Sequence, residues 1–181
     1  MCRRGFPGTK LQLSVKRPVE EKVYDIEITR SEVDIPNVPY FGMVSEDVGY
    51  VNLTTFTQDA ANNIAKALRS LRDEHELQGV ILDLRGNGGG LLSEAIDILG
   101  LFLPQGTPVV STRGKVKDRD QNYSTRRLPI DLDLSLVVLI DKNSASASEI
   151  VSGSIQDMDR GVVMGQRSYG KGLVQNHKEV G

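Results

Sequence analysis

The chain has 181 residues, of which 39% are hydrophobic and 25% charged, with a formal net charge of −2. That is the composition of a folded globular protein, and it excludes a disordered chain and a strongly basic nucleic-acid-binding surface. The length suits one domain with a full core plus part of another. The single Cys2 rules out an internal disulfide, and no apolar run is long enough for a membrane span or a signal peptide.

Residues 1–35 read as a hairpin. Gly5-Phe-Pro-Gly8 is a turn, after which Leu11, Leu13 and Val15 alternate with polar residues. A polar turn over Pro18 to Lys22 leads to Val23, Asp25 and Glu27 alternating with Tyr24, Ile26 and Ile28. Two amphipathic strands joined in this way are marginal by themselves in water. Prolines 36 and 39 mark a linker, and Gly49-Tyr-Val-Asn-Leu53 opens a second region with a strand. A helix is expected from about Thr57, a plausible N-cap, to Glu76, with Ile64, Leu68 and Leu71 as its apolar stripe. Next come a strand at 79–84, a helix at 91–103 on Leu92, Ala95, Ile96 and Leu99, and a strand near 107–112. The charged segment from Lys115 to Arg127 reads as a mobile surface loop. A strand at 136–140, a helix at 146–159 and a strand at 161–165 complete the series. Strands alternating with helices imply a mostly parallel sheet covered on both faces.

Three stretches carry chemistry. Leu136-Val-Val-Leu-Ile140 is a buried strand that runs into Asn143-Ser-Ala-Ser-Ala-Ser-Glu149 and then a helix on Ala147, Ile150, Val151, Ser154 and Met158. The serines therefore lie on a strand-to-helix turn, where backbone N–H groups are unpaired and the helix dipole favours negative charge. A serine held there can be a nucleophile whose oxyanion develops against free donors. Upstream, Leu82-Asp-Leu-Arg-Gly-Asn-Gly-Gly-Gly90 is a buried strand entering a loop with four glycines in five residues, able to present N–H groups as an anion-binding nest. Downstream, Gly170-Lys171-Gly172 sets a lysine between two residues that permit close backbone approach.

At these positions the chain resembles the carboxyl-terminal processing proteases, or tail-specific proteases, serine peptidases with a Ser–Lys dyad. The matching blocks are GYVNLTTF (49–56), LDLRGNGGG (82–90), NSASASEI (143–150), QDMDRGVVMG (156–165) and YGKGLVQ (169–175), in the family's order. The resemblance implies Ser146 as nucleophile, Lys171 as general base and Gln175 as the residue that helps position the lysine. It implies an oxyanion hole from the N–H of Ala147 and one from Gly88 or Gly89. It sharpens the fold to an αβα sandwich related to the crotonase and Clp protease folds. Residues 1–35 then read as the C-terminal remnant of a PDZ domain, and residues 36–181 as a catalytic core truncated at its C-terminus, so the chain reads as a piece of a longer enzyme. Polypeptides with accessible C-terminal tails are the implied substrates, and the periplasm or cell envelope the implied location. A homo-oligomer is possible through exposed strand edges.

The chemistry requires no metal or cofactor. A lysine acts as base only when neutral, so its ordinary pKa of about 10.4 must fall by several units, which burial in an apolar site achieves. The two histidines offer no Asp–His pair: His75 lies among charges late in a surface helix, and His177 follows Gln175 on the same strand side. Ser144, Ser148 and Asn143 read as structural turn residues, Asp83 as a loop stabiliser and Arg85 as an ion-pair residue. Phe41, Tyr50 and Phe56 read equally as core or as groove wall. The spacing from Ser146 to Glu149 excludes an S-x-x-K pattern, and the glycine loop lacks the endings of phosphate- and dinucleotide-binding loops. A non-catalytic scaffold or substrate-binding relative is the alternative reading.

Overall fold

A computed structural model describes residues 5–20, 22–32, 35–114 and 120–173. The chain divides into two compact units, Met1–Ile35 and Pro36–Gly181. In the first, β1 (Lys10–Lys16) and β2 (Val23–Thr29) form an antiparallel hairpin. The register pairs Leu11 with Ile28, Leu13 with Ile26 and Val15 with Tyr24, so the apolar set shares one face. Lys10 and Glu27 pair on the other face at 2.7 Å.

The second unit is built on a five-stranded sheet. In chain order its described elements are β3 (Tyr40–Met43), β4 (Val48–Asn52), α1 (Ala60–Glu74), β5 (Gly79–Asp83), α2 (Leu92–Phe102), β6 (Pro108–Thr112), β7 (Gln121–Ser124), β8 (Ser135–Ile140), α3 (Ala147–Asp157) and β9 (Val162–Gly165). The sheet order is β3-β4-β5-β8-β9, parallel throughout except for the antiparallel β3–β4 pair. β6 and β7 form a separate antiparallel ribbon. The expected mobile loop at 115–127 is therefore partly a strand: Asn122 and Tyr123 pair with Ser111 and Val110. Polar, charged text hides such a strand because neither of its faces enters the core.

Strand order rises steadily along the chain, and parallel crossovers are right-handed, so successive helices fall on the same side of the sheet. Packing agrees, since α2 contacts both α1 and α3. The sheet face beneath them carries Val51, Val80, Leu82, Leu136 and Val138, all buried. Those side chains join Phe56, Ile64, Leu68, Ile98, Leu99, Phe102, Val151 and Ile155 in one core. The opposite face carries Tyr50, Ile81, Val137 and Leu139, which are only half-buried, and Val162 and Met164, which are exposed. The expectation of helices covering both faces is thus met on one face only among the described residues.

Helix α1 starts later than Thr57. Its N-terminal N–H groups are taken from outside the helix: the Glu94 carboxylate of α2 accepts Asp59 N–H at 3.1 Å and Ala61 N–H at 2.9 Å. Asp59 sits at the N-cap with φ of 65°. A cap supplied by a distant element leaves no local sequence signal. His75 is exposed just past the end of α1.

Candidate active site

β5 and β8 are adjacent and parallel, so the loops leaving their carboxyl ends lie side by side, where open α/β sheets place their sites. Both loops are stitched together by backbone groups and short polar side chains. Gly86 N–H donates to Asp141 Oδ1 at 2.9 Å, and Ser144 Oγ donates to Leu84 O at 2.8 Å. Asp141 also accepts from Asn143 N–H and Ser144 N–H, at 2.9 and 3.1 Å. These bonds, the one from Gly86 foremost, hold its carboxyl below the usual range.

Asn87 is the knot between the loops, and it is fully buried. Its Nδ2 donates to Leu53 O at 2.8 Å, and its Oδ1 accepts Gly89 N–H at 2.9 Å. Its carbonyl accepts Ala145 N–H at 3.1 Å and Ser148 Oγ–H at 2.9 Å. Gly89 has φ of 96°, and a Cβ there would stand 2.6 Å from Ala145 O and 2.8 Å from Ser146 Cβ. Only glycine permits this loop to lie directly on the serine turn. Phe56 N–H donates to Gly89 O at 3.1 Å, and Phe56 itself is fully buried, which places it in the core.

Ser146 occupies the turn between β8 and α3 with φ of 57° and ψ of −114°. A non-glycine residue held in such a region costs roughly 1–3 kcal/mol and clusters at functional sites. It is half-buried, whereas Ser144 and Ser148 on either side are fully buried and bonded to backbone carbonyls. Ala147 opens α3, and its N–H has no acceptor among the described residues. Gly88 N–H likewise has none, while Gly89 N–H is engaged by Asn87.

The segment after β9 returns to this turn. Tyr169 N–H donates to Ser144 O at 3.0 Å. One carboxylate then joins the segments: Glu149 Oε1 accepts Ser168 Oγ–H at 2.7 Å and Gly170 N–H at 2.6 Å. Its Oε2 accepts Ser146 N–H at 2.8 Å and Lys171 N–H at 2.9 Å. The backbone nitrogens of Ser146 and Lys171 are therefore separated by no more than two hydrogen-bond lengths, about 6 Å. Partial burial by itself pushes the Glu149 carboxyl up, but the four donors outweigh it and hold the group below its usual range.

Lys171 itself is exposed, not sunk in an apolar pocket as the sequence reading has it. Its loop is anchored through backbone N–H groups, so the described residues bring the lysine's backbone to the serine without covering its side chain. Gln175 and His177 lie outside the described residues. Asp83 and Arg85 pair through Arg85 Nη2 at 2.6 Å, and Tyr50 OH donates to Asp83 Oδ2 at 2.6 Å. Burial pushes Asp83 up, but these partners more than offset it and keep the carboxyl low. The pair steadies the exit of β5, and Phe41 stays largely exposed on the edge strand β3.

Asn87, Asp141 and Glu149 are the site residues that sequence reasoning passed over. For Glu149 a signal existed: Ser at an N-cap and Glu three residues on is the capping-box pattern. Asn87 and Asp141 each turn their own loop through an acceptor two residues before an N–H group, a common turn pattern, but the bonds that join the two loops span more than fifty residues and leave no local signal.

A mostly parallel sheet with a strained serine at a strand-to-helix turn, facing a glycine loop, defines the class of a mixed α/β protein with its polar site at the carboxyl ends of the strands. Residues 47–181 match peptidase family S41, and the chain belongs to that family. It is 37% identical over 175 residues to the carboxy-terminal-processing protease of Bartonella bacilliformis, covering 95% of this chain and 40% of that protein. It is 32% identical over 184 residues to the carboxy-terminal processing protease CtpB of Bacillus subtilis, covering 98% of this chain and 37% of that one. Among solved structures, the photosystem II D1 C-terminal processing protease superposes with a TM-score of 0.68 at 26% identity, over 95% of this chain and 47% of that chain. The chain thus spans about two-fifths of the length of these curated relatives.

Proposed function

We propose that this chain carries the catalytic centre of a serine endopeptidase that cuts polypeptides near their C-terminal tails through a Ser146–Lys171 dyad. The observation that carries the reading is Ser146 itself: a non-glycine residue at φ of 57° on a strand-to-helix turn, beside two N–H groups, Ala147 and Gly88, without acceptors among the described residues. Ser146 Oγ attacks the scissile carbonyl carbon, and its proton passes to a neutral Lys171 Nζ. The oxyanion that forms is held by Ala147 N–H and Gly88 N–H. Lys171 then gives the proton to the leaving amine, leaving an ester on Ser146 that water, deprotonated by the same lysine, hydrolyses. The lysine reaches base strength only when its exposed surface is covered, by bound substrate or by protein beyond the described residues, since desolvation disfavours the ammonium. Gln175 would then fix the direction of the lysine.

Residues 1–35 fit the last hairpin of a tail-capturing PDZ domain. The half-bare sheet face fits the seat of the layer that completes an αβα sandwich of the crotonase and Clp protease kind. Action outside the cytoplasm, and assembly into a homo-oligomer, are further parts of this reading.

The test uses the intact protein, a peptide with an unstructured C-terminal tail, and a fluorophosphonate that esterifies activated serines. Ser146→Ala and Lys171→Ala are each expected to lower hydrolysis by roughly 10⁴-fold or more while leaving the fold intact. Turnover near the parent level in either variant rejects the dyad. The exposure of Lys171 favours one second reading, a non-catalytic relative of the same fold. It predicts no labelling of Ser146 in the parent protein under any condition that supports peptide binding.

A further inference from the structure

We propose that Glu149 is the positioning residue that couples the nucleophile turn to the lysine loop, and so sets whether the two halves of the dyad face each other. This rests on the dyad reading above.

The two halves come from different parts of the chain. Ser146 belongs to the turn before α3, and Lys171 to an irregular segment after β9. Little packing joins them, because Tyr169, Gly170, Lys171, Gly172 and Leu173 are all exposed. What joins them is polar: Tyr169 N–H on Ser144 O, and the four donors converging on the two Glu149 oxygens. Three of those four are backbone N–H groups, one on the serine side and two on the lysine side, so a single planar carboxylate fixes a distance between segments. A carboxylate is acceptor-only, with about four lone-pair sites, and all four here are matched by donors. A glutamine in its place offers one oxygen and an NH₂, so in either orientation at least one backbone N–H group loses its acceptor. The geometry points to a brace specific for an ionised carboxylate.

Such a brace acts on kcat rather than on substrate capture, since its four contacts all hold the two segments together and none is to Ser146 Oγ or Lys171 Nζ. The experiment compares the intact parent with Glu149→Gln, Glu149→Asp and Ser168→Ala. It measures kcat and KM on the tail peptide, and hydrogen exchange at the amides of Ser146, Gly170 and Lys171. In Glu149→Gln, kcat is expected to fall at least tenfold with KM within twofold, and those three amides to exchange at least tenfold faster while sheet amides are unchanged. Glu149→Asp, which keeps the charge, is expected to recover part of both. Ser168→Ala removes one donor of four and is expected to lower kcat two- to threefold, and it decides the matter if Glu149→Gln fails to fold. Parent-like kcat in Glu149→Gln, or unchanged exchange at the three amides, overturns the proposal. If the parent serine is never labelled by fluorophosphonate, the dyad reading falls, and the exchange measurement alone then decides whether Glu149 ties the segments.

Discussion

At the scale of single residues, the site is held by short polar side chains that bond to backbone across the β5 and β8 loops. Asn87 is the clearest case, because every polar group it offers is buried and matched. Asn87→Ala leaves Leu53 O and Gly89 N–H without partners and is expected to lower the urea unfolding free energy by about 2–3 kcal/mol. Gly89→Ala introduces a Cβ 2.6 Å from Ala145 O at a positive φ, so the turn must shift away from the loop. A displacement of that kind costs roughly a hundredfold in turnover, which fluorophosphonate labelling of Ser146 reads directly. Asp141 and Glu149 have carboxyls held below their ordinary values in the folded protein. Their contribution to stability is therefore present above the unfolded value of about 4 and is lost as pH falls through the lower folded values. Urea midpoints should hold between pH 7 and 5 and drop below pH 4, with a shallower drop in Glu149→Gln.

At the scale of elements, burial and sequence pattern agree where a face is purely apolar and diverge where it is not. The strand Leu136–Ile140, the α1 stripe of Ile64, Leu68 and Leu71, and the α2 residues Ala95, Ile96 and Leu99 are all legible, because a 3.6-residue or unbroken apolar pattern has few other meanings. β7 is not legible, since Gln121–Ser124 pairs only with β6 and buries little. The start of α1 is misplaced at Thr57 because Glu94 of α2 supplies the cap. In the site, the choice of Ser146 among three serines rests on the family resemblance, whereas the serine turn and the lysine between two glycines stand out in the sequence itself. The exposure of Lys171 does not, because burial depends on what folds over a loop rather than on the loop's own residues. Leu99 is fully buried in α2, which packs on both other helices, so Leu99→Ala should cost 2–5 kcal/mol by chemical denaturation. Leu128→Ala, at a side chain 76% exposed, should stay within about 0.5 kcal/mol.

At the scale of the whole molecule, the two units differ in how much they bury. The β1–β2 hairpin carries Val15, Val23, Ile26 and Ile28 at 39% exposure or more, whereas the central strands of the second unit bury Val51, Val80, Leu82 and Val138. Hydrogen exchange should therefore find hairpin amides opening with a free energy near zero, and amides of β5 and β8 opening only with global unfolding. Equal protection in the two would show the hairpin to be held by something stronger than its own pairing. Among the described residues no helix is long and apolar enough to cross a membrane.

The steady strand order β3-β4-β5-β8-β9 has a consequence for synthesis on the ribosome. Each new sheet strand is laid against the edge made just before it, so no strand must wait for a later one in order to be inserted between two others. The sheet can grow as the chain emerges, its leading edge always the most recent strand. Within this chain Ser146 and Lys171 come late in such a process, because Ser146 follows β8 and Lys171 follows β9. The two residues proposed as a dyad therefore cannot meet until β9 has left the exit tunnel.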